Sequence, residues 1–532
     1  MRRSLKMVLT MLVILGLLFT VSAFADTASE VRYSTDGGST WKEDSLFNAL
    51  WDNMMAENVQ IELLRDITLT SDTWYSQQSI GYKDNSRWLI DGKGHTIKRS
   101  GSVGMFFNIE YGNSTVTFRN ITLDGGAVWS SNDPATRTNS GVYVNGNGHI
   151  MYVDNGCTLI LDEGTIIQNS DIRMYGGAIC VGYTSQTGGN LIIRNGAEIR
   201  NNATRDSGGA ICVISGTVEM QGGSMTGNYA ATGGGAVFTQ GSFTMNGGTI
   251  SGNASGNNGG GICIQRPGTL NLNAGNIRNN KTVVGGGGVT VLADGATLNM
   301  TGGTISGNTI TGSKGAGVLV NGGSFNASGA ALVSGNTAGT EKNNIYLNSG
   351  KTIAVTGALD EQASLGVTTA VSPTSSSSVT VTANGAAAYV GSFFSDKVMY
   401  CTATKNNEVQ LQCAPEYQLT IADTANGAVA ANKTTAFAGE TITLTPRPDA
   451  GYALDTLTVT DVGGNAVAIS NDYSFIMPAG NASVSATFKL IPAAAIPRTG
   501  DNGRIGLWLA LGLLGTTGML VLLRGGKRRA HR

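Results

Sequence analysis

Gly268-Thr-Leu-Asn-Leu-Asn-Ala-Gly-Asn-Ile-Arg-Asn-Asn280-Lys-Thr-Val-Val-Gly-Gly-Gly-Gly288-Val-Thr-Val291 is the stretch that decides the fold. It holds three phrases: paired apolar residues (Leu270, Leu272), then Gly275 and Ile277 leading to Asn280, then a glycine cluster that opens a second alternating strand. Almost the same sentence occurs seven times between Cys157 and Asn336. Its terminal asparagines are Asn169, Asn202, Asn228, Asn253, Asn280, Asn308 and Asn336. The first interval is 33 residues and the others are 25 to 28, a period that belongs to solenoids. Three short strands per period, with no segment left for a helix, predict an all-β chain built as a parallel β-helix. A leucine-rich repeat would need more leucines and a helix after each strand.

Strand alternation then assigns directions. Leu270 and Leu272 are expected inside with Asn271 outside, and glycines are expected at the corners. An asparagine at one fixed corner is predicted to stack coil on coil, its amide bonding backbone groups of the next turn. One coil cannot bury its apolar set alone; coils stacked at about 4.8 Å can.

In the glycine-led strand, the residue between the two inward aliphatics is expected to point out. Coil by coil these are Tyr143, Cys180, Cys212, Phe238, Cys263, Thr290, Leu319 and Tyr346. Most have apolar character, so they are read as a candidate binding stripe, covered by a loop of this chain or by a partner. The inverted register would bury the cysteines and expose the flanking β-branched pairs.

Both ends carry addresses. Arg2, Arg3 and Lys6, the apolar run Met7 to Val21 and Ala23-Phe24-Ala25 read as a secretory signal peptide over 1–25. At the other end, Ile496-Pro497-Arg498-Thr499-Gly500 precedes an apolar stretch over 505–523 and then Arg524, Lys527, Arg528 and Arg529. That order resembles the Leu-Pro-x-Thr-Gly (LPxTG) cell-wall sorting signal of Gram-positive bacteria, with Ile496 departing at the first position. The resemblance implies sortase as a partner, cleavage between Thr499 and Gly500, linkage to peptidoglycan and a transient membrane span before sorting.

Between the ends, 26–415 is expected to be the solenoid with its N-terminal cap. The cap includes a hairpin around Tyr33 to Trp41 and a short amphipathic helix within Asp44 to Met55. Leu89 to Ile97 and Val116 to Gly125 resemble opening coils of bacterial pectate-lyase-like solenoids, which are right-handed parallel β-helices. Residues 416–490 change character. Gly439-Glu440, Pro448 to Leu454 and Phe475 to Gly480 resemble the divergent internalin-type B-repeat, a small β domain that implies a spacer or adhesion module. Residues 491–499 form the linker and sorting motif, and 500–532 the cleaved tail.

Composition narrows function. Without the two signals, 26 basic and 35 acidic residues remain, a charge of about −9 that argues against nucleic acid. No cofactor is implied, and no Cys/His spacing suits a metal. Cys401 and Cys413 flank a turn at Lys405-Asn406-Asn407 and are placed to cross-link a hairpin; the other cysteines read as small apolar residues. Polysaccharide cleavage would need paired carboxylates, yet Gln221 to Ala293 contains no Asp or Glu. The acids upstream (Asp154, Asp162, Glu163, Asp171, Glu198, Asp206, Glu219) mingle with Arg173, Arg194, Arg200 and Arg205 as a solvated face would. Trp41, Trp51, Trp74, Trp88 and Trp129 all fall in the first third, where packing within the cap competes with sugar stacking. The chain resembles wall-anchored β-helical adhesin-like proteins. The expected role is adhesion to a glycan or a host protein, with no catalytic residues; the alternative is a polysaccharide lyase or hydrolase.

Overall fold

The computed structural model describes residues 29–71, 78–101, 103–183 and 187–492. The signal over 1–25, Trp74, Ile496 to Gly500 and the apolar stretch 505–523 lie outside the described residues. Among the described residues, no helix is long and apolar enough to cross a membrane. The chain divides at Pro415/Glu416 into two compact units.

The first unit is a parallel β-solenoid of about 12 turns. Three faces enclose its core. One runs from Asn58–Leu63 through Thr269–Leu272 to Thr382–Ala383. The second includes Asn276–Arg278 and the third, glycine-led, includes Val289–Val291. Like residues stack in register: Leu270 pairs with Phe243 on one side and Leu298 on the other. Leu270 and Leu272 are fully buried while Asn271 between them is half-buried on the outside. There Asn271 Nδ2 donates to Thr244 Oγ1 (3.2 Å) and Asn299 Nδ2 donates to Asn271 Oδ1 (2.8 Å), a polar row along the outer surface.

The asparagine corner forms a directional ladder. The backbone N–H and the Nδ2 of Asn228 both donate to Asn253 Oδ1, at 2.9 and 3.0 Å. Asn253 does the same to Asn280, Asn280 to Asn308 and Asn308 to Asn336. Each Nδ2 also donates backward to a carbonyl of the preceding coil, as Asn253 does to Met225 O at 3.0 Å. These side chains are fully buried, so each rung satisfies backbone groups that would otherwise be orphaned.

Asn169 requires a correction. It adopts positive φ (56°), as Asn201 does, and bonds Asp124 through Nδ2 at 2.9 Å. Its neighbour Ser170 holds the ladder register, its N–H donating to Asn202 Oδ1 at 3.0 Å. The left-handed residue and the rung are adjacent; at Asn169 only the first of the two is an asparagine.

After each rung the chain makes an excursion that three strands per turn did not foresee. Two-residue strands such as Lys281–Thr282 stack into an eight-stranded outer sheet. The chain then returns through the glycine cluster, with Asn258, Gly285 and Lys314 bridging in parallel. A Cβ on Gly285 would sit 2.7 Å from Leu319 Cδ2, and one on Gly286 would sit 2.0 Å from Thr290 Oγ1. Glycine is needed there because the excursion lies directly against the glycine-led face.

Both solenoid ends are covered. Val31–Ser34 pairs antiparallel with Asn58–Leu63 and with Lys42–Asp44, capping the first edge. The helix spans only Leu46–Asp52, started by the Ser45 side chain accepting from Asn48 N–H, and buries Leu46, Ala49 and Leu50. At the far end, Tyr400–Lys405 and Glu408–Cys413 form a hairpin through Asn406 and Asn407, both at positive φ, and bury Val409 and Leu411. Cys401 lies opposite Gln412, so Cys413 faces the other side of the hairpin and both thiols are free.

The second unit has a five-stranded sheet, in which Glu416–Ile421 runs parallel to Ala482–Leu490, and a three-stranded sheet containing Thr441–Pro448. Leu419, Ile442, Leu444, Val459, Phe475 and Val484 form its core.

Candidate binding site

The outer side of the glycine-led face is where the sequence placed a stripe. Cys180, Cys212, Cys263, Thr290 and Leu319 do stand between core residues such as Ile211 and Val213, outside the inner core. They are nonetheless buried, because the excursion of the chain itself covers them; Thr290 Oγ1 donates to Gly285 O at 2.9 Å. Phe238 and Tyr346 are half-buried. Tyr143 is exposed and off the column, whose residue in that coil is Tyr152, in register with Cys180. The column is therefore not a continuous docking stripe: its buried positions are covered by the chain itself, and its N-terminal part lines a space.

That space is a cavity of about 140 Å³ lined by Met105, Asn108, His149, Tyr152, Tyr175 and Cys180, with Glu110 and Tyr183 at its margin. Met105, Tyr152 and Cys180 pack together as an apolar floor. Asn108, one coil before Tyr152, donates through Nδ2 to Glu110 Oε1 (2.6 Å) and Ser79 Oγ (3.3 Å). Its Oδ1 is buried and has no partner. His149 Nδ1 lies 2.9 Å from Gly176 O. A carbonyl only accepts, so Nδ1 carries the proton and Nε2 carries the lone pair. Burial, with Arg99 nearby, holds the imidazole down to about 4, so it is neutral at physiological pH. Tyr175 stands 6.3 Å from Tyr183 and 6.4 Å from Phe238, centroid to centroid, giving an aromatic wall. Of these residues only Cys180 and Phe238 belong to the glycine-led signature and were singled out from sequence.

The acidic residues do not gather there. Asp162 pairs with Arg194 (3.2 Å), Asp171 with Arg205 (3.2 Å) and Glu198 with Arg200 (2.9 Å). Burial raises the Asp171 carboxyl despite hydrogen bonding from Asn139 and its arginine neighbours. Asp154 is buried and accepts from the Tyr152 hydroxyl. Among the described residues, no group of three His, Cys, Asp or Glu side chains is placed to hold a metal ion. The tryptophans are equally dispersed. Trp88 is in the core, Trp51 stacks on Phe47, Trp41 lies under Arg32, and Trp129 packs beneath Arg137 while its Nε1 donates to Asn201 O (2.9 Å).

Comparison with known proteins places one segment. Residues 417–492 match the family model of the divergent InlB B-repeat domain. No curated protein and no solved structure matches the chain.

Proposed function

We propose that the chain is a surface-displayed, adhesin-like protein whose solenoid binds a glycan or an extracellular protein. The observation that carries this reading is a divergent InlB B-repeat domain directly following a parallel β-solenoid, a pairing that suits an extracellular surface protein. The outer rows of Asn and Thr, as at Thr244, Asn271 and Asn299, offer neutral donors and acceptors in a regular array, which suits recognition of hydroxylated ligands. Attachment follows from Ile496 to Gly500: sortase cuts after Thr499 and joins it to peptidoglycan, the segment 505–523 having held the chain in the membrane until then. Binding here includes no catalytic step. A glycan and extracellular-protein array, read together with release of reducing or unsaturated sugars, tests the role.

A further inference from the structure

We infer that the cavity above Asn108, Tyr152 and Cys180 is a subsite for a single uncharged sugar ring, stacked on Tyr175 and Tyr183 and donating hydroxyl protons to Asn108 Oδ1 and His149 Nε2. The inference deepens the adhesion reading and rests on it for the origin of the ligand. Four observations converge on it.

The cavity, about 140 Å³, is several times the ~30 Å³ share of one water and is near the scale that holds one six-membered ring. Its floor is apolar and its wall aromatic, which suits the C–H face of a pyranose. Asn108 Oδ1 is a buried acceptor with no partner in the protein, a position that costs free energy, and a turn of the amide of this lining residue brings it to a donor in the cavity. His149 faces the same space as a neutral imidazole with its lone pair on Nε2, a second acceptor fixed by the bond to Gly176 O. Two acceptors lining one cavity suit a ligand that carries several hydroxyl donors.

Charge refines the class. Among the described residues, no lysine or arginine lines the cavity, and Glu110 is the one formally charged side chain that does. A uronic acid or sialic acid would bring a carboxylate against Glu110, and the nearby Arg99, beside His149, is buried and engaged by Gly104 O and Gly148 O, so anionic sugars are disfavoured. Tyr183 is 46% exposed, so the ring enters from solvent at that edge, as the terminal residue of a longer glycan would.

The intact chain is titrated by saturation-transfer NMR and calorimetry with the methyl β-glycosides of glucose, galactose and N-acetylglucosamine, and with the methyl β-glycoside of galacturonic acid, its carboxylate free, as the anionic control. At least one neutral glycoside is expected to bind saturably, with galacturonate at least about tenfold weaker. Tyr183→Ala, at an exposed position that leaves the fold unchanged, is expected to weaken binding about tenfold with no shift in melting temperature. Asn108→Ala is expected to weaken it comparably, with far-UV circular dichroism reporting whether the coil is intact. No binding of any neutral glycoside at tens of millimolar overturns the subsite. Equal binding of galacturonate, or unchanged affinity in Tyr183→Ala, overturns it too. Failure of the adhesion reading looks different: the glycosides bind and Tyr183→Ala loses them, while the array shows no natural ligand.

Discussion

Asn344 donates both its backbone N–H (2.7 Å) and its side-chain Nδ2 (2.5 Å) to the two carboxylate oxygens of Asp396. The asparagine ladder thus ends on a residue that only accepts. Every rung passes two donors toward the C-terminal end, and a last asparagine would leave its own Nδ2 with no rung to receive it. The carboxylate resolves that polarity and takes Thr368 Oγ1 as well (3.1 Å).

Asp396→Ala should therefore leave buried donors unmet and cost about 1–3 kcal/mol for each lost partner. Asp396→Asn should cost clearly less, because one amide oxygen can accept both donors, as Asn253 Oδ1 does from Asn228. Chemical denaturation of both variants checks this. Equal losses would show that the carboxylate's place at the end of the ladder is incidental.

Within the ladder, Asn253→Ala and Asn280→Ala should each destabilise by about 1–3 kcal/mol, since both side chains are fully buried and bonded to coils on either side. Asn271→Ala, on the half-buried outer row, should stay within about 0.5 kcal/mol. Comparable melting shifts at all three positions would contradict the separation of inner ladder from outer row.

Thiol reactivity reports the excursion layer. Burial pushes the Cys180 and Cys263 thiols up to about 12 and the Cys212 thiol well above its usual value. Folded protein should react with a thiol reagent only at Cys401 and Cys413, and at all six cysteines once denatured. Ready labelling of Cys212 in the folded state would mean the glycine-led face lies open after all.

For attachment, Thr499→Ala should shift protein from the wall fraction to the membrane or the medium when expressed in a host that possesses sortase. Wall-linked protein at parental levels in that variant would remove the sorting motif from the account.

The period and the alternation were legible in sequence because a stacked solenoid repeats its constraints. Leu270 and Leu272 must face the core in every coil, and Asn280 must meet Asn253 and Asn308, so each signature recurs. The excursion was not legible. Lys281 to Gly288 looks like a polar turn, and nothing in the glycines of one coil announces that they rest on the middle residue of a neighbouring strand, as Gly285 does on Leu319. The same blindness placed Tyr143 in the column instead of Tyr152, since that coil is interrupted by a long loop. The cavity was hidden for a different reason: Asn108 stands in the same column as Tyr152 and Cys180 but in an early coil without the glycine signature, and His149 and Tyr175 come from segments outside the repeating strands.

The most direct test of the functional claim is an array of glycans and extracellular proteins probed in parallel with residues 26–415 and residues 416–492. The two stretches have separate hydrophobic cores, so each can be examined alone. The account predicts a saturable ligand held by 26–415, recovered intact, with 416–492 giving no comparable signal. Binding confined to 416–492, or a glycan recovered from 26–415 with new reducing or unsaturated ends, would contradict it.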